Sequence, residues 1–276
     1  MKLNFRTIAS TLLAFAGILA GTPTAFAQDD KDSNPCGGMP GHAALKAALT
    51  TATNTEGSGL NMNMWGTIVN RDGVVCAVAF TGINRGAQWP GSRVISAQKA
   101  NTANAFSLDA SAVSGGNGLA LALSTANLYS AVQPGGSLFG LQLSNPVDTR
   151  VAYKGPSSKF GASNDPMVGE RIGGVNVFGG GLALYDANHK IIGAVGVSGD
   201  TSCADHNIAW RTRNNLGLDH MLGFIGGVAT ATHPDNIIFD ITPNAAGGTG
   251  VSAGGFGHPS CGAGVPVPPV LPAVIP

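Results

Sequence analysis

The sequence predicts an α+β domain in which an antiparallel sheet is covered by helices. Three observations carry this. Two pairs of apolar, β-branched runs are each joined by a short turn, at "NRDG" and at "DANHK", and paired runs of this kind make antiparallel hairpins. Stretches with apolar residues at helical spacing lie between and beside the hairpins. Strands do not alternate one-for-one with helices, so a parallel βαβ sheet is excluded and a layered sheet-and-helix domain is expected.

The first 27 residues have the form of a signal peptide: Lys2 and Arg6 at the start, the apolar "TLLAFAGILA", and "AFA" ending at Ala27. The apolar stretch is about half of what a membrane-spanning helix needs. No later run is long and apolar enough to cross a bilayer, and the expected location is periplasmic or secreted. Residues 28–41 are polar, glycine-rich and expected to be irregular. "GHAALKAALTTAT" then predicts a helix from His42 to about Thr53. In "NMNMWGTIVNRDGVVCAVAFTG" the Asp72-Gly73 pair suits the positive φ of a tight turn, so this segment reads as the first hairpin. "SRVISAQKANTANAFSL" predicts a helix from Ser92 whose buried face is made of small residues. A further helix is expected over residues 118–132, "GLALALSTANLYSAV".

From Gln133 to Gly174 the pattern dissolves among Gly, Pro, Ser and Asn. Loops of such length inside a domain are usually functional or packed as a lid. "VNVFGGGLALYD" and "KIIGAVGVSG" form the second hairpin. "TSCADHNIAWRTRNNLG" forms a helix capped by Asp200 or Thr201 and stopped at Gly217. "NIIFDI", residues 236–241, reads as a last short strand, and the Gly/Pro-rich residues 242–276 read as an extended or disordered tail. The division is therefore a signal peptide (1–27), an irregular segment (28–41), a domain over 42–241 with a long insertion at 115–174, and the tail.

Composition narrows the partners. The chain has 276 residues, only 11% of them charged, and 41 are glycine. Loss of Lys2 and Arg6 from 15 basic residues leaves a slightly acidic mature chain against 15 acidic ones. No basic stripe exists for phosphates to bind, so nucleic acid is excluded as a partner. A surface with so little charge favours self-association, and a homo-oligomer is expected. Cys36, Cys76, Cys203 and Cys261 fit no zinc spacing; in an exported chain they are expected as disulfides. Four cysteines allow three pairings. The one favoured here joins Cys76 to Cys203, both at or after apolar strands, and Cys36 to Cys261.

Chemistry-bearing candidates are few. Glu56 and Glu170 are far apart in loops and make no acid–base pair. Ser198 in "GVSGD" breaks the Gly-x-Ser-x-Gly pattern of a nucleophile elbow and reads as a backbone spacer. The sequence thus offers no clear acid, base and nucleophile set, and the protein is not expected to be an enzyme. His206 lies in the first turns of the helix that follows "GVSGD", where a neutral imidazole could ligate a metal or a tetrapyrrole iron, with Asp205 beside it. His42, at the start of the first helix, is the second candidate.

The hairpin "GTIVNRDGVVCAVAF", the "AQKANTANAF" helix, "GGVNVFGGGLALYD" and "KIIGAVGVSGDTSCADHNIAW", in that order, resemble the GlcG/HbpS family, whose domain also ends PduO-type proteins. The resemblance implies a profilin-like layered α+β fold with about five antiparallel strands, often oligomeric, and haem or another tetrapyrrole as ligand. It implies haem binding, storage or sensing. A haem-degrading or small-molecule enzyme using the same pocket, and a structural or partner-binding domain, are the alternatives. The 115–174 insertion, the four cysteines and the Gly/Pro tail are additions to the family pattern.

Overall fold

The computed structural model describes residues 34–112, 120–248, 250–262 and 270–276; the expected signal peptide lies outside them. Helix α1 is His42–Thr55, followed by strands β1 (Trp65–Asn70) and β2 (Val75–Phe80) and helix α2 (Ser92–Ala105). The first hairpin turns where Asp72-Gly73 predicts it: Gly73 has φ +75°. Asn70 Oδ1 accepts from the backbone N–H groups of Asp72 and Val74, the local bond that makes Asn a turn former. The next elements are β3 (Ala120–Leu121), the one-turn helices α3 (Leu141–Ser144) and α4 (Thr149–Ala152), β4 (Gly181–Tyr185) and β5 (Ile191–Ser198). Then come α5 (Ser202–Asn215), β6 (Ile225–Gly226), β7 (Ile241–Thr242) and β8 (Val251–Ser252).

The sheet has four antiparallel strands among the described residues, in the order β2-β1-β5-β4, one fewer than the family resemblance implies. Both faces are covered, so β1 and β4 are buried at every residue. α2 packs on one face with Val69, Val78 and Ala194. α1 and α5 cover the other, where Leu45 and Leu49 meet Ile68, Val195 and Val197. The expected small-residue face of α2 is observed: Ala97, Ala100 and Ala103 are buried against the sheet. The approach is close enough that a Cβ on Gly196 of β5 would overlap the Ser96 carbonyl. α5 starts at the expected cap, with Thr201 Oγ1 accepting from the Ala204 N–H at 3.2 Å, and ends before Gly217 at φ +64°.

Three expectations differ. The predicted helix 118–132 is instead β3, paired in parallel with β6, and two 3₁₀ turns at Thr125–Leu128 and Ser130–Val132; residues 113–119 lie outside the described residues. Its polar side chains bond outward to distant backbone, Thr125 Oγ1 accepting from Gly181 N–H and Asn127 Nδ2 donating to the Asn236 carbonyl. Such bonds compete with a regular helical ladder. "NIIFDI" enters a strand only at Ile241, where β7 meets β8. The end of the tail is packed: Leu271 and Val274 join the main core, Trp210 Nε1 donates to the Pro272 carbonyl at 2.9 Å, and Ile275 bridges to His220.

The disulfides are Cys36–Cys76 and Cys203–Cys261, which corrects the favoured pairing. Cys76 lies on the edge strand β2, whereas Cys203 is in the first turn of α5, after β5. β1 stands between β2 and β5, and two strand spacings, about 9–10 Å, exceed the Cα–Cα reach of a disulfide.

Candidate functional site

A cleft of about 560 Å³ opens at the end of the sheet where β1 begins and β2 ends, within the range of small-molecule pockets. Its apolar wall is Trp65 and Phe80, cross-strand partners whose rings stack at 4.3 Å and 14°. Phe160, from the long insertion, closes one side, and Ile83, 95% exposed, stands at the mouth. Lys46 and Arg85 supply exposed positive charge at the rim, and neither is in an ion pair among the described residues.

His42, the second sequence candidate, lines this cleft at the first residue of α1. Its Nε2 lies 2.9 Å from the Gly161 carbonyl oxygen. A carbonyl can only accept, so in neutral His42 Nε2 carries the proton and Nδ1 the lone pair. An imidazole tied through one nitrogen to a backbone carbonyl is oriented as metal-ligating histidines usually are. The carbonyl is itself fixed. Gly161 N–H donates to Asp165 Oδ2 at 2.7 Å, and Asp165 accepts from Met167 N–H and from both Nε and Nη2 of the buried Arg93. Arg93 lies 3.7 Å over the Phe160 ring. Gly161 adopts φ +79°, and a Cβ there would stand 2.7 Å from Phe80 Cβ and 2.9 Å from the Trp65 ring. Only glycine lets this loop lie flat on the aromatic wall. The Trp65 indole N–H is buried without a partner among the described residues, an unmet donor in the wall of the cleft.

His206, the first sequence candidate, is placed differently. It is fully buried, with Nε2 3.1 Å from Asn236 Oδ1 and 3.2 Å from the Ile237 backbone nitrogen. Burial pushes its imidazole down to about 4. The neighbouring cleft of about 550 Å³ is lined by His233, Asn236 and Leu271 and not by His206. His206 is thus buried in the core, with Nε2 toward the 236–237 segment and Nδ1 without a partner among the described residues. Asp205 is equally structural. Its Oδ2 accepts from Lys99 Nζ at 2.7 Å and its Oδ1 from the Gly199 and Asp200 N–H groups. Burial raises its carboxyl to about 6, against the pull of Lys99. Neither residue is brought to His42.

Sequence reasoning did not find Trp65, Phe80, Phe160, Lys46, Arg85 or Gly161. For the aromatic pair the signal misleads: a hairpin centred on "NRDG" sets Trp65 opposite Val78, and the register shift between Ile68 and Val69 helps move it to Phe80. Phe160 and Gly161 had none, because the insertion has no periodicity.

Together these features define a sheet-and-helix domain with a partly aromatic cleft rimmed by cations. A family model described as "Haem degrading protein HbpS-like" matches residues 42–213, and the chain belongs to the HbpS-like haem-degrading protein family. The match runs from α1 to α5 and spans the whole sheet. Two solved structures are similar. One is Klebsiella pneumoniae protein ORFY, of the DUF336 family, 25% identical over 64% of this chain and 90% of that chain, with a TM-score of 0.40. The other is PduOC in complex with haem, 21% identical over 63% of this chain and 89% of that one, also at 0.40. No curated protein sequence matches. No helix among the described residues is long and apolar enough to cross a membrane.

Proposed function

We propose that this is an exported haem-binding protein that would hold its ligand in the cleft between α1, the Trp65–Phe80 wall and the 157–163 loop, with His42 Nδ1 the protein group available to the iron. Bound haem would supply an iron centre able to take a ligand from the protein. The observation that carries the reading is the His42–Gly161 bond, since it leaves one imidazole lone pair free in an apolar cleft and fixes the ring. The residues fit the group. Phe160 and the exposed Ile83 offer apolar surface above the buried Trp65–Phe80 stack, Lys46 and Arg85 offer charge to carboxylates at the rim, and the Trp65 N–H lacks a partner among the described residues.

Each side chain has a share in this. Arg93 and Asp165 hold the Gly161 carbonyl, Gly161 orients His42, and the stacked aromatics exclude water from one face. The two disulfides support export, because such bonds persist in oxidising compartments. Self-association is part of the same reading, supported by the sparse charge and by the exposed Ile83 and Trp89 beside the cleft.

The test is absorbance titration of the purified protein with haemin and with its dimethyl ester. Haemin is expected to bind one per chain with a shifted Soret band, and the ester several-fold more weakly, because rim ion pairs are worth up to about 1 kcal/mol each. A spectrum equal to that of free haemin at all ratios overturns the proposal.

A further inference from the structure

A second cluster lies beyond the C-terminal end of β5, where the C-terminal segment meets the start of α5. Cys203, Cys261 and His258 each present one potential ligand atom there, and the three atoms lie within 4.8 Å of one another. The two sulfurs are joined. His258 Nδ1 lies 2.7 Å from the Pro259 carbonyl oxygen, so its proton sits on Nδ1 and its lone pair on Nε2, which accepts from Ser202 Oγ at 2.8 Å. His258 is buried, and the Nε2 lone pair is the one that it presents to the cluster.

We propose that reduction of Cys203–Cys261 by a dithiol turns this corner into a binding site for a zinc-type divalent cation, held by both thiolates and His258 Nε2. The ligand types suit such an ion. Cys203 sits in the first turn of α5, and its backbone N–H donates to Cys261 Sγ at 3.0 Å; helix N-termini and N–H donors favour thiolate over thiol. Cys261 is partly buried, whereas Cys203 is buried, so Cys261 is the more exposed residue of the pair.

The exchange balances. One thiolate of the dithiol bonds to Cys261 Sγ as the Sγ–Sγ bond breaks, and Cys203 leaves as thiolate. The second dithiol sulfur then displaces Cys261. The dithiol ends as a disulfide, the two cysteines hold the two electrons, and the two protons pass to solvent as the cation takes both thiolates. Tetrahedral ligation at about 2.3 Å needs the sulfurs about 3.8 Å apart. The Cα–Cα distance of 6.0 Å allows this through side-chain rotation, with His258 exchanging Ser202 for the metal. The disulfide would then work as a lock: closed, it pins the C-terminal segment to α5; open, the cation pins it.

The experiment reduces the full-length protein with a dithiol, removes the dithiol by anaerobic desalting, and titrates cobalt(II) as the probe. A thiolate-to-cobalt charge-transfer band saturating at one cobalt per chain is expected in the reduced protein, with none in the oxidised protein. His258→Ala and His258→Gln should each weaken binding at least ten-fold, while Cys36→Ser/Cys76→Ser should keep the band. The proposal is overturned if fully reduced protein shows no band, if both His258 variants bind as the parent does, or if the band follows Cys36 and Cys76.

Discussion

His206 and His258 are neutral imidazoles held in the interior, each pushed by burial down to about 4. Between about pH 6.5 and pH 4 the unfolded chain takes up a proton at each histidine and the folded chain does not. Each histidine lowers stability by about 1.4 kcal/mol per pH unit as pH falls through this window, and Asp205, whose folded carboxyl is raised to about 6, takes up its proton first in the folded chain and offsets about one of them. Urea midpoints at pH 7, 5.5 and 4.5 should decline steadily, and His206→Gln should show a clearly shallower decline; equal slopes for parent and variant would refute the assignment. The same burial explains what was illegible at this scale. A histidine in the first turn of a helix looks accessible in sequence, whereas the Asn236 side chain and the Ile237 N–H, thirty residues on, meet Nε2 of the buried His206. His42 was legible as a polar residue opening a helix, but its partner Gly161 lies 119 positions away.

Elements set by local chemistry were legible: the turns of both hairpins and helices α1, α2 and α5 lie within about two residues of where their caps and spacings put them, while β1 and β4 begin four and six residues inside the apolar runs, at Trp65 and Gly181. The second hairpin shows why, since Asp186 Oδ1 accepts from the Asn188 and Lys190 N–H groups within the turn itself. The 118–132 helix and the 236–241 strand failed because Thr125, Asn127 and Asn236 are committed to one another's segments and to β4. The α2–sheet contact makes a sharp prediction. Gly196 has no room for a Cβ against Ser96, so Gly196→Ala must push α2 off β5, and overpacking of this kind typically costs about 1–3 kcal/mol. Thr201→Ala, which removes only the α5 cap, should cost about 1 kcal/mol. Thermal unfolding of the two variants checks the order; a Gly196→Ala protein as stable as the parent would mean that α2 does not lie where it is described.

For the whole molecule, the C-terminal tail is a structural part. Leu271 and Val274 are buried and Ile275 bonds its carbonyl to the Met221 and Leu222 N–H groups. Ending the chain at residue 262 should therefore lower stability by several kcal/mol, since each such side chain contributes about 1.5–3 kcal/mol when fully buried; an unchanged denaturation midpoint would contradict the packing. The Gly/Pro composition hid this, because isolated apolar residues among prolines have no period to read. The cleft is a whole-molecule property in the same sense: α1 supplies His42, the first hairpin supplies Trp65 and Phe80, and the insertion supplies Phe160 and Gly161. The most direct test of this assembly is haemin titration of the parent, His42→Ala and His206→Ala side by side. The account predicts a Soret shift in the parent, affinity at least ten-fold weaker in His42→Ala, and near-parent binding in folded His206→Ala. Parent-like binding in His42→Ala together with loss in folded His206→Ala would contradict it.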